Sequence, residues 1–305
     1  MQILLTGAFS YTEPQLQKLE QLGLTPVWMP EESGALPAQA KDAEAVVCNG
    51  LFLHHDLSEF PRLRFVQLTS AGLDRVPVSR MQKMGIALRN ARGVYSIPMA
   101  EFALWGVLSL YKHADFFAAN QKAHAWEKDR TLLELAGKTV LVVGFGSVGA
   151  ACAKRFRAFD TTVLAADLQR PDGGFDAFYP MERLPEALAR ADVVVLTLPL
   201  TEQTRGMFGE TLFSVCKPGA VLVNISRGAV VKEAALAAAL QNGPLGGAVL
   251  DVFQAEPLPA ESPLWDMPNV LATPHNSFVS EQNRGRLFAL IYQNLRDFLK
   301  GEAGA

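Results

Sequence analysis

The chain has 305 residues, 49% of them hydrophobic and 19% charged, so it is long enough for two domains and too apolar to be disordered. Its 28 Lys and Arg against 31 Asp and Glu leave a net charge of -3, which argues against a nucleic-acid binder, because phosphate recognition leaves a basic stripe. Apolar runs such as that in Phe102 to Leu110 are well short of the ~20 residues needed to span a bilayer, so no membrane segment is expected.

Taken in chain order, Met1-Gln2-Ile3-Leu4-Leu5-Thr6-Gly7 has no basic stretch before its apolar run. It is expected to be a first strand ending in a glycine turn rather than a signal peptide, in a cytoplasmic protein. Strand-length apolar runs then alternate with helical patterns, as βαβ units and parallel sheets require. The first block has strand patterns at Gln2 to Thr6, Thr25 to Met29, Ala45 to Cys48, Arg64 to Leu68 and Ile86 to Leu88, with a helix over Glu13 to Gln21. From Ala100 to Phe117 a helix carries Phe102, Leu104, Trp105, Val107, Leu108, Leu110 and Tyr111. It is apolar nearly all round, so a domain junction or a second subunit must cover it. The second block opens with Lys138 to Val143 and continues with strands at Thr162 to Ala166, Val193 to Leu198, Ala220 to Ile225, Ala248 to Val252 and Asn269 to Ala272. The last helix, about Ser280 to Lys300, puts Leu287, Ile291, Asn294, Leu295 and Phe298 at helical spacing, a stripe able to pack back on the first domain. The expected domains are 1–98 with 280–305, and 99–279.

Cys48, Cys152 and Cys216 are widely spaced and read as buried small hydrophobes. His54-His55-Asp56 does not read as a metal site, because adjacent side chains rarely converge on one ion. No metal is expected.

Gly144-Phe145-Gly146-Ser147-Val148-Gly149 fits G-x-G-x-x-G between the strand Thr139 to Val143 and a helix with Val148, Cys152, Phe156 and Phe159 on one face. The first glycine permits the sharp turn, the second a close approach of backbone to a pyrophosphate, and the third tight packing of helix on strand. The helix N-terminus, with the N–H groups of Ser147, Val148 and Gly149, would then face the phosphates. After Gly149 come 17 residues and then Asp167, where a carboxylate can bind an adenosine ribose and repel a 2'-phosphate. NAD is therefore expected over NADP, with nearby Arg170 as the counterargument, since a guanidinium can hold a phosphate.

Ligands of an open parallel sheet bind beyond the carboxyl ends of its strands, and three chemically useful residues follow three later strands: Arg227, Glu256 and His275. A histidine can give a proton to a carbonyl oxygen that receives a hydride. A glutamate on the other ring nitrogen would fix the tautomer. An arginine fork can hold a carboxylate at two points. The group describes reduction of a 2-keto acid.

These residues carry a resemblance to the D-isomer specific 2-hydroxyacid dehydrogenase family. The matching stretches are Leu135-Ala136-Gly137-Lys138-Thr139, Leu198-Pro199-Leu200-Thr201 with Thr204, Lys217-Pro218-Gly219-Ala220 through Arg227-Gly228, Leu250-Asp251-Val252-Phe253 through Glu256-Pro257-Leu258, and Thr273-Pro274-His275. The resemblance implies an α/β protein with a Rossmann doubly wound parallel sheet for NAD and a flavodoxin-like substrate domain completed by the C-terminal helix. It implies Arg227, Glu256 and His275 as catalytic residues, Asp251 beside the nicotinamide, and Pro199 and Thr204 on the cofactor. Thr69-Ser70-Ala71-Gly72-Leu73-Asp74 resembles the loop whose backbone N–H groups hold the substrate carboxylate, which makes Ser70, Ala71 and Gly72 substrate-binding residues. A homodimer built on the cofactor domain is implied as well. After His275 the chain has Asn276-Ser277-Phe278, where the family often has smaller residues, so a differently shaped pocket is expected, with Leu51, Phe52 and Leu53 as candidates for its wall. Two relatives of other function are formate dehydrogenase and NAD(H)-sensing corepressors. The first pairs its histidine with glutamine, which Glu256 argues against. The second tend to carry extra terminal segments, whereas this chain ends soon after its last helix.

Overall fold

Strands buried on both faces are continuous apolar runs rather than alternating ones, and such runs build two all-parallel sheets in the computed structural model, which describes residues 1–301. Residues 302–305, the end of the expected 280–305 segment, lie outside the described residues. The chain divides into two compact units, one of Met1–Tyr95 with the chain from Ser280 onward, the other of Ser96–Val279.

The first unit has β1 (Gln2–Thr6), α1 (Glu13–Gln21), β2 (Thr25–Met29), β3 (Ala45–Cys48), β4 (Phe65–Leu68), α2 (Val78–Lys83) and β5 (Ala87–Arg89). The strands run in the order β2-β1-β3-β4-β5. Ile3, Leu5, Val47 and Phe65 pack on one face with Leu287, Ile291 and Leu295 of the last helix, and Leu4, Val46, Val66 and Leu68 on the other with Leu57, Phe60 and Met81. Gln67, fully buried in β4, accepts a hydrogen bond from Asn294 Nδ2 at 2.7 Å and so ties the last helix to the sheet.

The second unit has α3 (Ser96–Tyr111), α4 (Ala114–Ala123), β6 (Thr139–Val143), α5 (Ser147–Arg157), β7 (Thr162–Asp167), β8 (Ala177–Pro180), α6 (Leu184–Leu188), β9 (Val193–Leu196), α7 (Glu210–Phe213), β10 (Ala220–Asn224), α8 (Glu233–Gln241), β11 (Leu245–Leu250) and β12 (Val270–Ala272); the last helix of the chain is α9 (Asn283–Leu299). The sheet order is β12-β11-β10-β9-β6-β7-β8. The order reverses between β6 and β9, and that switch point is where a doubly wound sheet opens a crevice for a ligand.

The apolar helix expected over Ala100 to Phe117 is two helices. α3 stops at Tyr111, His113 takes a left-handed conformation (φ 46°), and α4 restarts at Ala114. No glycine or proline marks the break; His113 Nδ1 lies 2.6 Å from Asp129 Oδ2, a partner 16 residues away. Ala100, Ala103, Gly106 and Val107 of α3 are buried, whereas Trp105 on the same helix is 48% exposed. β8 has no counterpart among the expected strands, because it is only four residues that end on a proline at the sheet edge. Among the described residues no helix is long and apolar enough to cross a membrane.

Candidate active site

The loop after β6 uses its three glycines differently. Gly144 has φ +89°, and a Cβ there would stand 2.9 Å from Leu198 N. A Cβ on Gly149 would stand 2.3 Å from the Gly144 carbonyl oxygen, so α5 packs on the turn only because that residue is glycine. A Cβ on Gly146 would meet nothing within 4 Å. The middle glycine is thus not demanded by the protein's own packing, and the open space before it fits a pyrophosphate. No side chain caps α5 at Gly146, which leaves its first N–H groups for an anion. At the end of β7, Asp167 Oδ2 accepts the Phe145 N–H of the glycine loop at 2.6 Å and Oδ1 accepts the Leu168 N–H at 2.7 Å. Arg170 lies over Phe175 and Phe178, 5.6 and 5.9 Å from their ring centres, a cation–π seat for the guanidinium. Beyond β9, Thr204 Oγ1 donates to the Pro199 carbonyl at 2.7 Å and accepts the Thr201 N–H at 2.8 Å, which closes the turn that carries both family-matched residues.

Arg227 follows β10 on a turn built by Asn224. The Asn224 side chain accepts from Ser226 N and Oγ at 3.1 and 2.8 Å and donates to the Arg227 carbonyl at 3.2 Å. Arg227 itself is half-buried, with Nη1 donating to the Ser226 carbonyl at 2.8 Å. The next residue, Gly228, lies so close under Phe253 that a Cβ would stand 1.9 Å from its carbonyl carbon. Only glycine lets the loop of Arg227 rest against the loop of Glu256.

Glu256 Oε1 accepts the Phe253 N–H at 3.0 Å, and Oε2 lies 2.8 Å from His275 Nδ1. An ionised carboxylate only accepts, so Nδ1 carries the hydrogen and Nε2 is left for chemistry. The two side chains are 38% and 37% exposed for His275 and Glu256, enough for a solute to reach them. The His275 backbone is left-handed, φ 51°, a conformation uncommon outside glycine that needs outside support. Asp251 supplies that support. Fully buried, its carboxylate accepts from Thr273 Oγ1 at 2.8 Å and from the N–H groups of Asn276 and Ser277 at 2.7 and 2.9 Å, while its carbonyl accepts the His275 N–H at 2.8 Å. The family resemblance puts Asp251 beside the nicotinamide; its hold on the histidine loop is an additional role that no local pattern revealed. The Phe278 ring meets the His275 ring edge to face, 5.9 Å between centres.

In the first unit, Ser70, Ala71 and Gly72 follow β4. The carbonyls of Thr69, Ser70, Ala71 and Gly72 accept hydrogen bonds from Tyr95 OH, Ala91 N, Asn90 Nδ2 and Ser70 Oγ respectively, which holds the loop by its acceptor side. Of the candidate pocket residues, Leu51 is buried in the sheet core, Phe52 half-buried and Leu53 61% exposed.

Residues 104–277 match the family model for the D-isomer specific 2-hydroxyacid dehydrogenase NAD binding domain. The chain is 34% identical to a glyoxylate reductase of Korarchaeum cryptofilum, with 95% of this chain and 91% of that protein covered. Among solved structures it resembles a D-lactate dehydrogenase of Aquifex aeolicus complexed with NAD and lactic acid (TM-score 0.82, 26% identity, 98% and 96% covered). It also resembles a D-isomer specific 2-hydroxyacid dehydrogenase of Xanthobacter autotrophicus in complex with NADPH and MES (TM-score 0.81, 30% identity, 98% and 96% covered).

Proposed function

Because the chain belongs to the D-isomer specific 2-hydroxyacid dehydrogenase family, we propose that it interconverts a 2-keto acid and the D-2-hydroxy acid with NAD as coenzyme. The observation that carries the reading is the 2.8 Å pair of His275 Nδ1 and Glu256 Oε2, with the loop of Glu256 packed against the one that carries Arg227. The dinucleotide would be held by the N–H groups of Ser147, Val148 and Gly149 over the open space at Gly146, with its ribose on Asp167. When bound, it supplies or takes up the hydride.

Everything else falls to the chain's own groups. Arg227 grips the substrate carboxylate with its planar fork and orients the neighbouring carbonyl. Ser70, Ala71 and Gly72 correspond, as the family resemblance implies, to a loop whose backbone N–H groups hold a substrate carboxylate. In reduction His275 passes a proton from Nε2 to the keto oxygen; in oxidation the neutral ring takes it back. Glu256 keeps Nδ1 protonated throughout and offsets the charge of the imidazolium. The Asp167 carboxylate repels a 2'-phosphate, so NAD is preferred over NADP. We infer a homodimer in which the apolar outer side of α3 is covered by a second copy of the chain.

A panel of glyoxylate, hydroxypyruvate, pyruvate and bulkier keto acids with NADH, read by loss of nicotinamide absorbance, tests the reading. Turnover of at least one of them supports it. Tight binding of NADH without turnover of any would assign the chain to NAD(H) sensing instead.

A further inference from the structure

Glu233 stands in the first turn of α8 and belongs to none of the roles above. Its Oε1 accepts the backbone N–H of Gln254 at 2.5 Å, and Gln254 Nε2 donates to the Val231 carbonyl at 2.7 Å. The loop 253–256 is therefore fastened at its second residue to the start of α8, once through backbone and once through a side chain. The preceding N–H, that of Phe253, is the one that donates to Glu256 Oε1, and Glu256 Oε2 is the partner of His275 Nδ1. From below, the same loop rests on Gly228. A line of contacts thus runs from α8 through one loop to the carboxylate and on to the imidazole.

Removing the Glu233 carboxylate leaves the Gln254 N–H to water and frees the peptide beside it. The Phe253 N–H then no longer presents a fixed donor, and Glu256 loses one of the two bonds that set its rotamer. A carboxylate that swings away releases Nδ1, and a neutral imidazole without that partner shifts toward the Nε2–H tautomer, which has no lone pair at Nε2 to accept a proton. Partners one step removed from the reacting group commonly fix tautomer and orientation in this way.

We propose that Glu233 is a positioning residue: through the Gln254 N–H it holds the Phe253–Glu256 loop in the form that keeps His275 in its Nδ1–H tautomer. The proposal rests on the reading of His275 as the group that exchanges a proton with substrate.

The test is the 15N NMR spectrum of the histidine ring nitrogens in alkaline buffer, on protein labelled at histidine, with His275 assigned by His275→Gln. Wild type should show the Nδ1–H pattern for His275. Glu256→Ala and Glu233→Ala should both move it toward Nε2–H, and Glu233→Gln, whose amide oxygen still accepts the Gln254 N–H, should restore it. Glu233→Ala should add nothing in the Glu256→Ala background, and alone should lower kcat for oxidation of the D-2-hydroxy acid, the direction in which Nε2 must accept a proton, roughly 10-fold with coenzyme affinity unchanged. If Glu233→Ala does not fold, Glu233→Asp takes its place, since it keeps the charge at the start of α8 but is one methylene short of Gln254. A wild-type tautomer in the variant overturns the proposal. The spectrum needs no substrate, so it decides the role of Glu233 separately from whether the chain reduces keto acids.

Discussion

Arg227 and a lysine in its place carry the same charge and differ in shape. The fork makes two parallel hydrogen bonds to a carboxylate, and an ammonium makes one at a point. Arg227→Lys should therefore lower kcat/KM for keto acids on the order of 10²-fold, about 2.7 kcal/mol of transition-state stabilisation, with NADH affinity unchanged in a fluorescence titration. An equal loss of NADH affinity would mean that the residue serves the dinucleotide or the fold. At Asp167 the question is which coenzyme fits. Its carboxylate already accepts the Phe145 and Leu168 N–H groups, which keep it oriented at the end of β7. Asp167→Ala removes the repulsion of a 2'-phosphate and should narrow the preference for NADH over NADPH, measured as the ratio of the two kcat/KM values. A wild type that prefers NADPH would shift the choice to Arg170 on its phenylalanine seat.

In the turn from β6 into α5 the second and third glycines of the motif serve the different ends that its spacing implies, one leaving space before the helix and the other allowing the helix to pack. Gly149→Ala pushes a methyl into the Gly144 carbonyl and should cost about 1–3 kcal/mol, as overpacking does, with a lower Tm and weaker NADH binding together. Gly146→Ala meets nothing in the protein and has an ordinary φ of -74°, so Tm should hold while NADH affinity falls. A Gly146→Ala protein that binds NADH as wild type does would remove the pyrophosphate from this turn. At the opposite end of the strands, Asp192 joins three of them: its Oδ2 accepts the Thr139 N–H at 2.9 Å at the start of β6, its Oδ1 accepts Lys217 Nζ at 2.7 Å, and its carbonyl accepts the Val221 N–H of β10 at 2.9 Å. Burial raises its pKa, but the bonds from Lys217 and Thr139 outweigh burial and hold it below the ordinary value. A depressed carboxylate pKa stabilises the fold above the unfolded value of about 3.9, and that contribution is lost as pH falls through the folded value. Asp192→Asn should thus lose about 1–2 kcal/mol in urea melts at pH 7, with the gap to wild type closing below about pH 4.

Over the whole molecule, what could be read from sequence follows how local its cause is. Most strands of the two sheets are legible because they are short runs rich in apolar residues, whereas β8, four residues that end on a proline at the sheet edge, is not; the glycine loop is legible because strand, turn and helix are contiguous. Arg227, Glu256 and His275 stand out as polar residues just past apolar strands. The left-handed break at His113 was hidden because its partner is Asp129, and the hold of Asp251 on the histidine loop because it joins residues 22 to 26 apart in sequence. The outer side of α3 gives a prediction at this scale: Trp105, 48% exposed beside Phe102, should be covered by a second copy, so the 33.1 kDa chain should sediment at about twice that mass and Trp105→Glu should sediment as a monomer. A wild type that sediments as a monomer at micromolar concentration would remove the dimer. The most direct test of the central claim is to compare wild type with His275→Gln, which keeps a polar side chain of similar reach but cannot pass on a proton. Keto-acid reduction should fall by 10²-fold or more, the usual worth of a general acid, while NADH binds with unchanged affinity. Reduction by His275→Gln at the wild-type rate would contradict it.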